Sequence, residues 1–400
     1  MIEIKPTIQH HSNCPYCRAA LKPQNLLWQG MHIGVECSCV KCNTEFIDEL
    51  RVGHASFCPY IIDRENGVVL GDEIAKGWWG NPFLQSIQNP HFEEIEISKE
   101  VFRECKRVIL LNCIDYLYGD CLLKLITVQR HLDHHPEYGV VVIVQKFLRW
   151  MVPDGVAEVW TVDIPIKKGQ DYYPSFNKFV AEESKRFNEI YVSTAHLRAS
   201  PFDITRFSGV PKYSFEQEEF KITFVWREDR LWWGNFFLFQ VLRKLKLLPP
   251  ALLIQNWKVR RLFDKIRSKV PSAKFAVVGL GNKTKFPGWI EDYRTDRLDD
   301  EKNKEICQVS SESRLVIGIQ GSAMLKPSGH AGMTIVLTPK EKWGNLGHDI
   351  LFQEPDPRLS FYRYQYFPSS TRVTELAIIA SEMVLKYSKF SLAMNADKPL

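Results

Sequence analysis

Several features that would place this chain in a specialised class are missing from its sequence. The 400 residues hold no block of five or six like charges, and the formal net charge of +5 is small for that length, so charge alone does not indicate a nucleic-acid partner. No apolar run reaches the roughly 18 residues that a transmembrane helix needs, and the first residues lack a basic stretch followed by an apolar core. We therefore expect a soluble, cytoplasmic protein.

Two ligand-binding motifs are also missing. Residues 107–194 contain no Gly-x-Gly-x-x-Gly, which argues against a dinucleotide cofactor in that region. No Asp-x-Asp pair that could chelate a catalytic metal ion occurs, and Asp299-Asp300 stands at the start of a charged helix. Any phosphate chemistry must therefore use other groups.

The composition is that of a globular protein large enough for more than one core. Apolar residues make up 45% and charged residues 25% of the chain, and the length predicts two domains plus a small appendage. Of the ten cysteines, six lie within residues 14–58. In a reducing compartment such a cluster indicates a metal site better than a disulfide scaffold.

The cysteine cluster has the spacing of a structural zinc site. Two C-x2-C pairs, each on a tight turn, can close a tetrahedron of thiolates around Zn²⁺, and the pairs are Cys14, Cys17, Cys39 and Cys42. Cys37 is an alternative to Cys39, and His54 and Cys58 are further possible ligands. The sequence predicts a zinc ribbon and a linker over residues 1–60, and the ribbon is expected to have a docking or lid role because it has no basic run.

The rest of the chain predicts an α/β fold with two Rossmann-like domains, at 61–210 and 211–400. Continuous apolar strands alternate with helices in both halves, as in parallel sheets that are covered on both faces. Residues 50–91 read as loop-rich. The paired Trp78 and Trp79 within them predict either an anchor against the main body or a platform for a sugar ring.

The segment 314–338 is the part of the second half that best predicts a ligand site. An apolar strand ends in Gly321-Ser322, a loop with a short helix follows, and a second apolar strand closes the unit. At the carboxyl ends of parallel strands, small residues let the backbone approach a phosphate. The candidate donor-binding residues are Arg227, Arg230, Gly279, Gly281, Gln320, Gly321, Ser322, Ala323, Met324, Ser328 and His330.

The order of strand, small-residue loop and strand in 314–338, together with Arg-x-x-Arg after the strand 221–226, resembles the family 61 glycosyltransferases and their bacterial polysaccharide-locus relatives. The resemblance covers roughly residues 220–390 and implies a GT-B fold, a nucleotide-sugar donor held by the second domain, and inverting transfer without a catalytic metal. The family usually has His where this chain has Gln320. An amide cannot shuttle a proton near neutral pH.

The residue that would deprotonate the acceptor is predicted from position alone. Asp115 follows the first strand of the first domain and is the first candidate for the general base, with His196 as the alternative. Asp115 as a helix N-cap and His196 as a surface residue are the structural interpretations. The expected partners are a nucleotide-sugar and a saccharide acceptor. The basic helix 251–269 adds a membrane surface or a polysaccharide-assembly partner as a further hypothesis.

Two other functions compete with sugar transfer. A non-catalytic binding or scaffold protein in polysaccharide assembly agrees with Gln320 and with the lack of an unmistakable base. A nucleic-acid protein using the ribbon is disfavoured, because the ribbon has no basic and aromatic stripe. No nucleic-acid binding is expected.

Overall fold

The computed structural model describes residues 1–195, 202–232 and 236–395. The chain forms two compact units, residues 1–202 and 203–400, which we call unit 1 and unit 2. Each contains a six-stranded sheet with helices. The protein is therefore a mixed α/β protein with several sheets, whereas a GT-B arrangement of its two units stays a prediction. None of the helices in the described ranges is both long enough and apolar enough to cross a bilayer.

Unit 1 combines a large sheet, a small sheet and four α-helices within its described residues. Its elements are β1 (Ile2–Lys5), β2 (Leu21–Trp28), β3 (Ile33–Cys39), β4 (Glu45–Glu49), β5 (Tyr60–Asp63), β6 (Val68–Gly71), α1 (Glu73–Ala75), α2 (Asn81–Gln88), β7 (Ile97–Val101), β8 (Arg107–Asn112), α3 (Tyr118–His134), β9 (Gly139–Gln145), β10 (Glu158–Val162), α4 (Pro174–Ser184) and β11 (Glu189–Val192).

The large sheet has the strand order β1-β11-β8-β9-β10-β7. Its four central strands are parallel, and β1 and β7 pair antiparallel at the two edges. Every residue of β9 and β10 is buried, as expected for strands covered on both faces. The prediction that apolar strands alternate with helices in this half of the chain is confirmed. After β10 the chain returns to pair β11 with the other side of β8, so the strand order reverses between β8 and β11.

The small sheet is an antiparallel meander of β2 to β6. It shares one hydrophobic core with the large sheet, formed by residues such as Trp28, Phe46, Leu110 and Ile143. The ribbon is thus part of unit 1. A second apolar cluster, which includes Ile47, Ile62 and Phe83, joins the small sheet to α2. The loop-rich interpretation of 50–91 was wrong, because β5, β6 and α2 lie there. β5 and β6 have four residues each, which is too short for the alternation of apolar and polar residues that identifies a strand.

Unit 2 is built on one parallel sheet of the order β14-β13-β12-β15-β16-β17. Its elements are α5 (Thr205–Ser208), β12 (Lys221–Arg227), α6 (Phe236–Lys244), α7 (Leu248–Arg267), β13 (Lys274–Leu280), β14 (Ile290–Thr295), α8 (Asp300–Ser311), β15 (Ser313–Ile319), α9 (Leu325–His330), β16 (Met333–Thr338), α10 (Pro357–Arg363), β17 (Tyr364–Pro368) and α11 (Val373–Asn395).

The strand order of unit 2 reverses between β12 and β15. From β12 the chain passes through α6 and α7 to β13 and then β14 on one side, and β15, β16 and β17 extend the sheet on the other side. The carboxyl ends of β12 and β15 therefore flank a topological switch point, where open α/β sheets bind ligands. Separate apolar cores cover the two faces of this sheet.

Candidate functional site

Two arginines and one glutamine meet at the switch point of unit 2. Arg227 ends β12 and its Nη1 donates to the carbonyl oxygen of Gln320 at 3.4 Å. Arg230 donates through Nη1 to the same carbonyl and, at 2.9 Å, to the side-chain Oε1 of Gln320. Burial lowers the pKa of Arg230, although a guanidinium stays protonated at neutral pH. Four predicted residues, Gly321 included, therefore lie together.

Gly321 is the point where the backbone comes closest to these guanidinium groups. Its φ of +139° lies in the region that favours glycine, and a Cβ atom there would lie 2.1 Å from Nη1 of Arg227 and 3.0 Å from Nη1 of Arg230. Its N–H donates to Oδ2 of Asp349 at 3.1 Å. Only glycine lets both arginines lie against this turn.

Carboxylates balance the two cations at this edge. Arg227 donates through Nε and Nη2 to the two oxygens of Asp229, at 2.8 and 2.6 Å. Asp349 accepts from the Tyr366 hydroxyl at 3.1 Å, and burial raises the pKa of this carboxyl group. The Asp229 side chain is 65% exposed. A phosphate, which accepts the same pair of hydrogen bonds, can therefore replace an exposed carboxylate on Arg227.

Gln255, which sequence reasoning missed, supports the same edge from α7. Its side chain is fully buried, accepts from the Trp232 backbone N–H at 2.9 Å and donates to the Arg227 carbonyl at 2.8 Å. It thereby ties the chain on both sides of Arg230 to one helix. The signal in the sequence was a glutamine among the apolar positions of an amphipathic helix, since buried amides are usually hydrogen-bonded.

The predicted glycines of β13 lie at the neighbouring strand end. Gly279 and Gly281 have φ of +123° and +101°, and added Cβ atoms would lie 2.2 Å from the Trp226 carbonyl oxygen and from Cδ of Glu228 respectively. Their missing side chains make room for the end of β12. Both glycines lie at the carboxyl edge of the sheet, but Trp226 and Glu228 occupy the space beside them, so that space is not open to a ligand.

The remaining donor-binding candidates divide into two groups. Ser322 and Ala323 are partly exposed in the turn after Gly321, whereas Met324 is buried in the core. Ser328 accepts from the Leu351 N–H, and His330 pairs through Nδ1 with the Pro211 carbonyl at 3.0 Å. The structure does not bring Ser328 and His330 to the switch point, because α9 leads the chain back towards the amino end of the sheet.

The first base candidate, Asp115, lies in the corresponding loop of unit 1. It is fully buried, and its Oδ2 accepts from Nζ of Lys124 at 2.8 Å and lies 3.2 Å from Nε2 of His54. Although burial opposes ionisation, the Lys124 ammonium and the His54 hydrogen bond hold the pKa of Asp115 well below its usual range. His196, the alternative base, lies outside the described residues.

His54 is the accessible member of this network. Its side chain is 15% exposed and stacks on Trp79 at a centroid distance of 3.9 Å. Burial lowers the pKa of His54 despite the neighbouring carboxylate, which favours the neutral imidazole. Gly53, the preceding residue, donates to the carbonyl of Thr194 just after β11. The network therefore lies at the switch point of unit 1.

His54, Asp115 and Asp120 also have ligand atoms within 4.8 Å of one another. The Lys124 ammonium already neutralises Asp115, which disfavours a second cation at this position. The arrangement suits proton transfer or orientation better than metal binding.

The four predicted cysteines form a compact group in unit 1. Cys14, Cys17, Cys39 and Cys42 place their sulfur atoms within 4.8 Å of one another, with Sγ–Sγ distances of 3.7 Å for 14–42, 3.4 Å for 17–39 and 3.8 Å for 17–42. A tetrahedral site with Zn–S bonds of about 2.3 Å has S–S edges of roughly 3.8 Å. The group can therefore bind a metal ion.

The two cysteine turns have the same backbone geometry. Arg18 and Asn43, each directly after the second cysteine, have φ of +62° and +56°, and each donates its N–H to the carbonyl of the first cysteine at 3.0 Å. The Thr44 side chain hydrogen-bonds Cys42 and lowers the pKa of that thiol to about 6. Cys37 lies outside the group, and burial raises the pKa of its thiol to about 12.

Comparison with protein-family models gives no match, and comparison with curated proteins gives none either. Among solved structures, the chain is similar to the dodecameric iron-containing heptosyltransferase TibC in complex with ADP-D-beta-D-heptose, with a TM-score of 0.32, 10% identity, and coverage of 75% of this chain and 81% of that one. It is also similar to TibC from enterotoxigenic E. coli H10407, with a TM-score of 0.29, 9% identity, and coverage of 74% and 79%. These weak structural neighbours are glycosyltransferases, and TM-scores this low do not decide between functions.

Proposed function

We propose that the protein is a glycosyltransferase whose unit 2 binds the diphosphate of a nucleotide-sugar at the switch point between β12 and β15. The observation that carries this proposal is the meeting of Arg227 and Arg230 on the Gln320-Gly321 turn, at the edge where an open parallel sheet binds ligands. The resemblance of residues 220–390 to the family 61 glycosyltransferases supports a sugar as the transferred group.

The arginines suit the role of stabilising a departing diphosphate. In inverting transfer, the acceptor hydroxyl oxygen bonds to the anomeric carbon on the face opposite the leaving group. The bond from that carbon to the diphosphate breaks, and its electron pair goes to the diphosphate oxygen. A guanidinium placed in advance at that oxygen lowers the barrier without a metal ion. The phosphate would replace Asp229 as the hydrogen-bond partner of Arg227. Arg230, which is partly buried, would add a second positive charge.

The acceptor hydroxyl must lose its proton in this reaction. We propose that, within unit 1, His54 is the group suited to accept a proton and that Asp115 orients it. A neutral His54 that donates Nε2–H to the Asp115 carboxylate has Nδ1 as its basic nitrogen. Asp115 is buried and ion-paired with Lys124, so its own pKa is too low for a base. Its predicted catalytic role thus becomes a positioning role in this proposal.

We also propose that Cys14, Cys17, Cys39 and Cys42 hold a structural Zn²⁺. Four thiolates at this spacing fit tetrahedral coordination and fill it, so no open position remains for substrate. The bound metal would contribute folding energy to unit 1, since the small sheet shares its core with the large one. Iron is the alternative metal for four thiolates, and metal analysis separates the two.

Thermal-shift titration of the full chain with nucleoside diphosphates and nucleotide-sugars tests the donor site. A ligand that binds only the native state must raise the melting temperature. We expect a shift for one nucleotide class that disappears in Arg227→Ala and in Arg230→Ala. Arg260→Ala, which removes an exposed arginine of α7, should keep it. No shift with any nucleotide would overturn the proposal.

One observation favours a second function, a non-catalytic binding protein in polysaccharide assembly. Gln320 stands where the resembled family has His, and its amide oxygen is held by Arg230. This arrangement offers cations to an anion, but Gln320 supplies no titratable group. Turnover of the nucleotide-sugar identified above, in the presence of candidate saccharide acceptors, separates the two functions, because the binding protein would show the thermal shift without product.

A further inference from the structure

Positive charge is concentrated in one helical segment of unit 2. Residues 236–269, which span α6 and α7, contain nine Lys and Arg residues and one acidic residue, Asp264, for a net charge of +8. The whole chain carries +5, so the rest of the protein is net negative. No salt bridge joins any of the nine cations to another residue of the described ranges. Lys258 and Arg267 lie over the rings of Trp232 and Trp289, whereas the other exposed cations of the segment are available to an outside partner.

The same segment exposes large apolar side chains. Six of them are at least 46% exposed, and they are Phe237, Leu245, Leu247, Leu253, Ile254 and Trp257. On the opposite side of α7, Leu252, Val259, Phe263 and Ile266 are fully buried in the core of unit 2. The exposed apolar groups therefore form a second, outward face that the fold does not use, and such faces usually mark an interaction site.

Cationic and apolar groups alternate closely on this face. Arg243, Lys244 and Lys246 are exposed next to Leu245 and Leu247 at the end of α6. On α7, Trp257 is followed one turn later by Arg261, whose guanidinium lies 5.1 Å from the centre of an indole ring of Trp257. Long cationic side chains beside leucine and tryptophan are typical of helices that lie in a membrane interface.

We propose that this face of α6 and α7 docks on an anionic lipid bilayer. We call it the docking face and define it by the six apolar residues above together with Arg243, Lys244, Lys246, Arg260 and Arg261. Charge complementarity selects anionic lipid, because phospholipid headgroups meet the cations while the acyl boundary takes the leucines and the tryptophan. Nucleic acid has phosphates for the cations but no apolar layer for Leu253 and Ile254.

Flotation of the full-length protein with lipid vesicles tests the proposal. Vesicles of phosphatidylcholine alone are compared with vesicles that also contain phosphatidylglycerol, at low and high salt. We expect binding only to the anionic vesicles, weakened by salt, and reduced at least about tenfold in the triple variant Arg243→Ala, Lys244→Ala, Lys246→Ala. The control triple variant Lys106→Ala, Lys178→Ala, Lys304→Ala removes the same charge from exposed positions elsewhere and should bind like the wild type.

A second variant tests the apolar half of the face. Trp257→Ser combined with Leu253→Ser should lower the binding that remains at high salt, without a change in melting temperature, because both side chains are more than half exposed. Absence of wild-type binding to anionic vesicles, or equal losses in the two triple variants, would overturn the proposal. Binding to an oligonucleotide or to an acidic protein without binding to vesicles would overturn it too.

Discussion

The two switch points of this protein share a topology but differ in what occupies them. In unit 1 the edge is filled by the chain itself. Asn112, at the end of β8, donates to the carbonyl of Gly30, and Asp115 is enclosed by Lys124 and His54. In unit 2 the edge holds Arg227 and Arg230 against a glycine turn, with an exposed aspartate as one counter-ion. The same strand reversal therefore supports a closed network in one unit and, in our proposal, an anion site in the other.

Metal removal is expected to produce the largest difference in stability between the two units. A four-thiolate Zn²⁺ site is worth on the order of 10 kcal/mol of folding free energy, and the sheet that carries it shares its core with β8 and β9. We expect chelation, or Cys39→Ser, to unfold unit 1 while the sheet of unit 2 keeps its amide protection. Hydrogen exchange followed by mass spectrometry gives the result for each unit, and elemental analysis identifies the metal.

The matched control for this prediction is Cys58→Ser, since Cys58 is partly exposed and lies outside the metal group. It should keep both the metal content and the protection of unit 1. Unchanged protection of unit 1 after complete metal loss would show that the small sheet folds without the metal.

Removing the buried cation of unit 1 is expected to have the next largest effect. Lys124→Met leaves the Asp115 carboxylate buried without its ammonium partner, which typically costs about 3–5 kcal/mol. The double variant Lys124→Met, Asp115→Asn should recover most of the loss. Lys146→Met, which breaks an exposed pair with Asp163, should cost less than about 1 kcal/mol. Denaturant unfolding measures all three.

A buried histidine in each unit makes stability depend on pH. Burial lowers the pKa of His131 in unit 1 and of His330 in unit 2 to about 4, below the ordinary value of about 6.5. Between these values the unfolded chain binds protons that the folded chain does not. The free energy of unfolding therefore falls as the pH decreases from about 6.5 to 4, by up to about 3 kcal/mol for each residue.

The two contributions can be measured separately. His330→Gln should flatten the pH dependence of unit 2 alone, and His131→Gln that of unit 1 alone, when amide protection is followed across this pH range. His11→Gln, at an exposed position, should leave both profiles unchanged. Equal flattening of both units by either single variant would show that the units do not unfold separately.

The smallest stability effect is expected at the glycine turn of unit 2. Gly321→Ala places a Cβ atom 2.1 Å from Nη1 of Arg227, so the arginine must move, at a cost of about 1–3 kcal/mol. Nucleotide affinity should fall at least about tenfold, because the displaced guanidinium is the proposed phosphate ligand. Gly288→Ala is the matched control, since an added Cβ atom there meets nothing within 4 Å.

The parts of the fold that could be predicted were those with an unmistakable pattern. β8, β9, β13 and β15 are mostly apolar and buried because both faces of their sheets are covered, which is the pattern that predicted an α/β fold. β14 was missed, because this edge strand carries charged residues and buries only Ile290 and Arg294. Its pattern does not differ from that of a polar loop.

In the candidate sites, the sequence predicted groups of residues that are close in the chain but missed those that only the fold brings together. The cysteine turns were found because each repeats a short spacing. Arg227 and Arg230 were found because they lie at the end of a recognisable strand and just after it. His54 and Asp115 are 61 residues apart, and nothing in the sequence connects them. His330 was grouped with Gln320 because it is near in sequence, but the six residues of α9 carry it away.

The pairing of β1 with β11 has a consequence for how the protein is made. Ile2 and Glu3 pair with Val192 and Tyr191, so β1 cannot pair until the residues between it and β11, which make up almost the whole of unit 1, have been synthesised. The meander of β2 to β6 needs only its sequence neighbours. Because contacts distant in sequence form late, we expect the small sheet to fold during synthesis and the edge of the large sheet to close last.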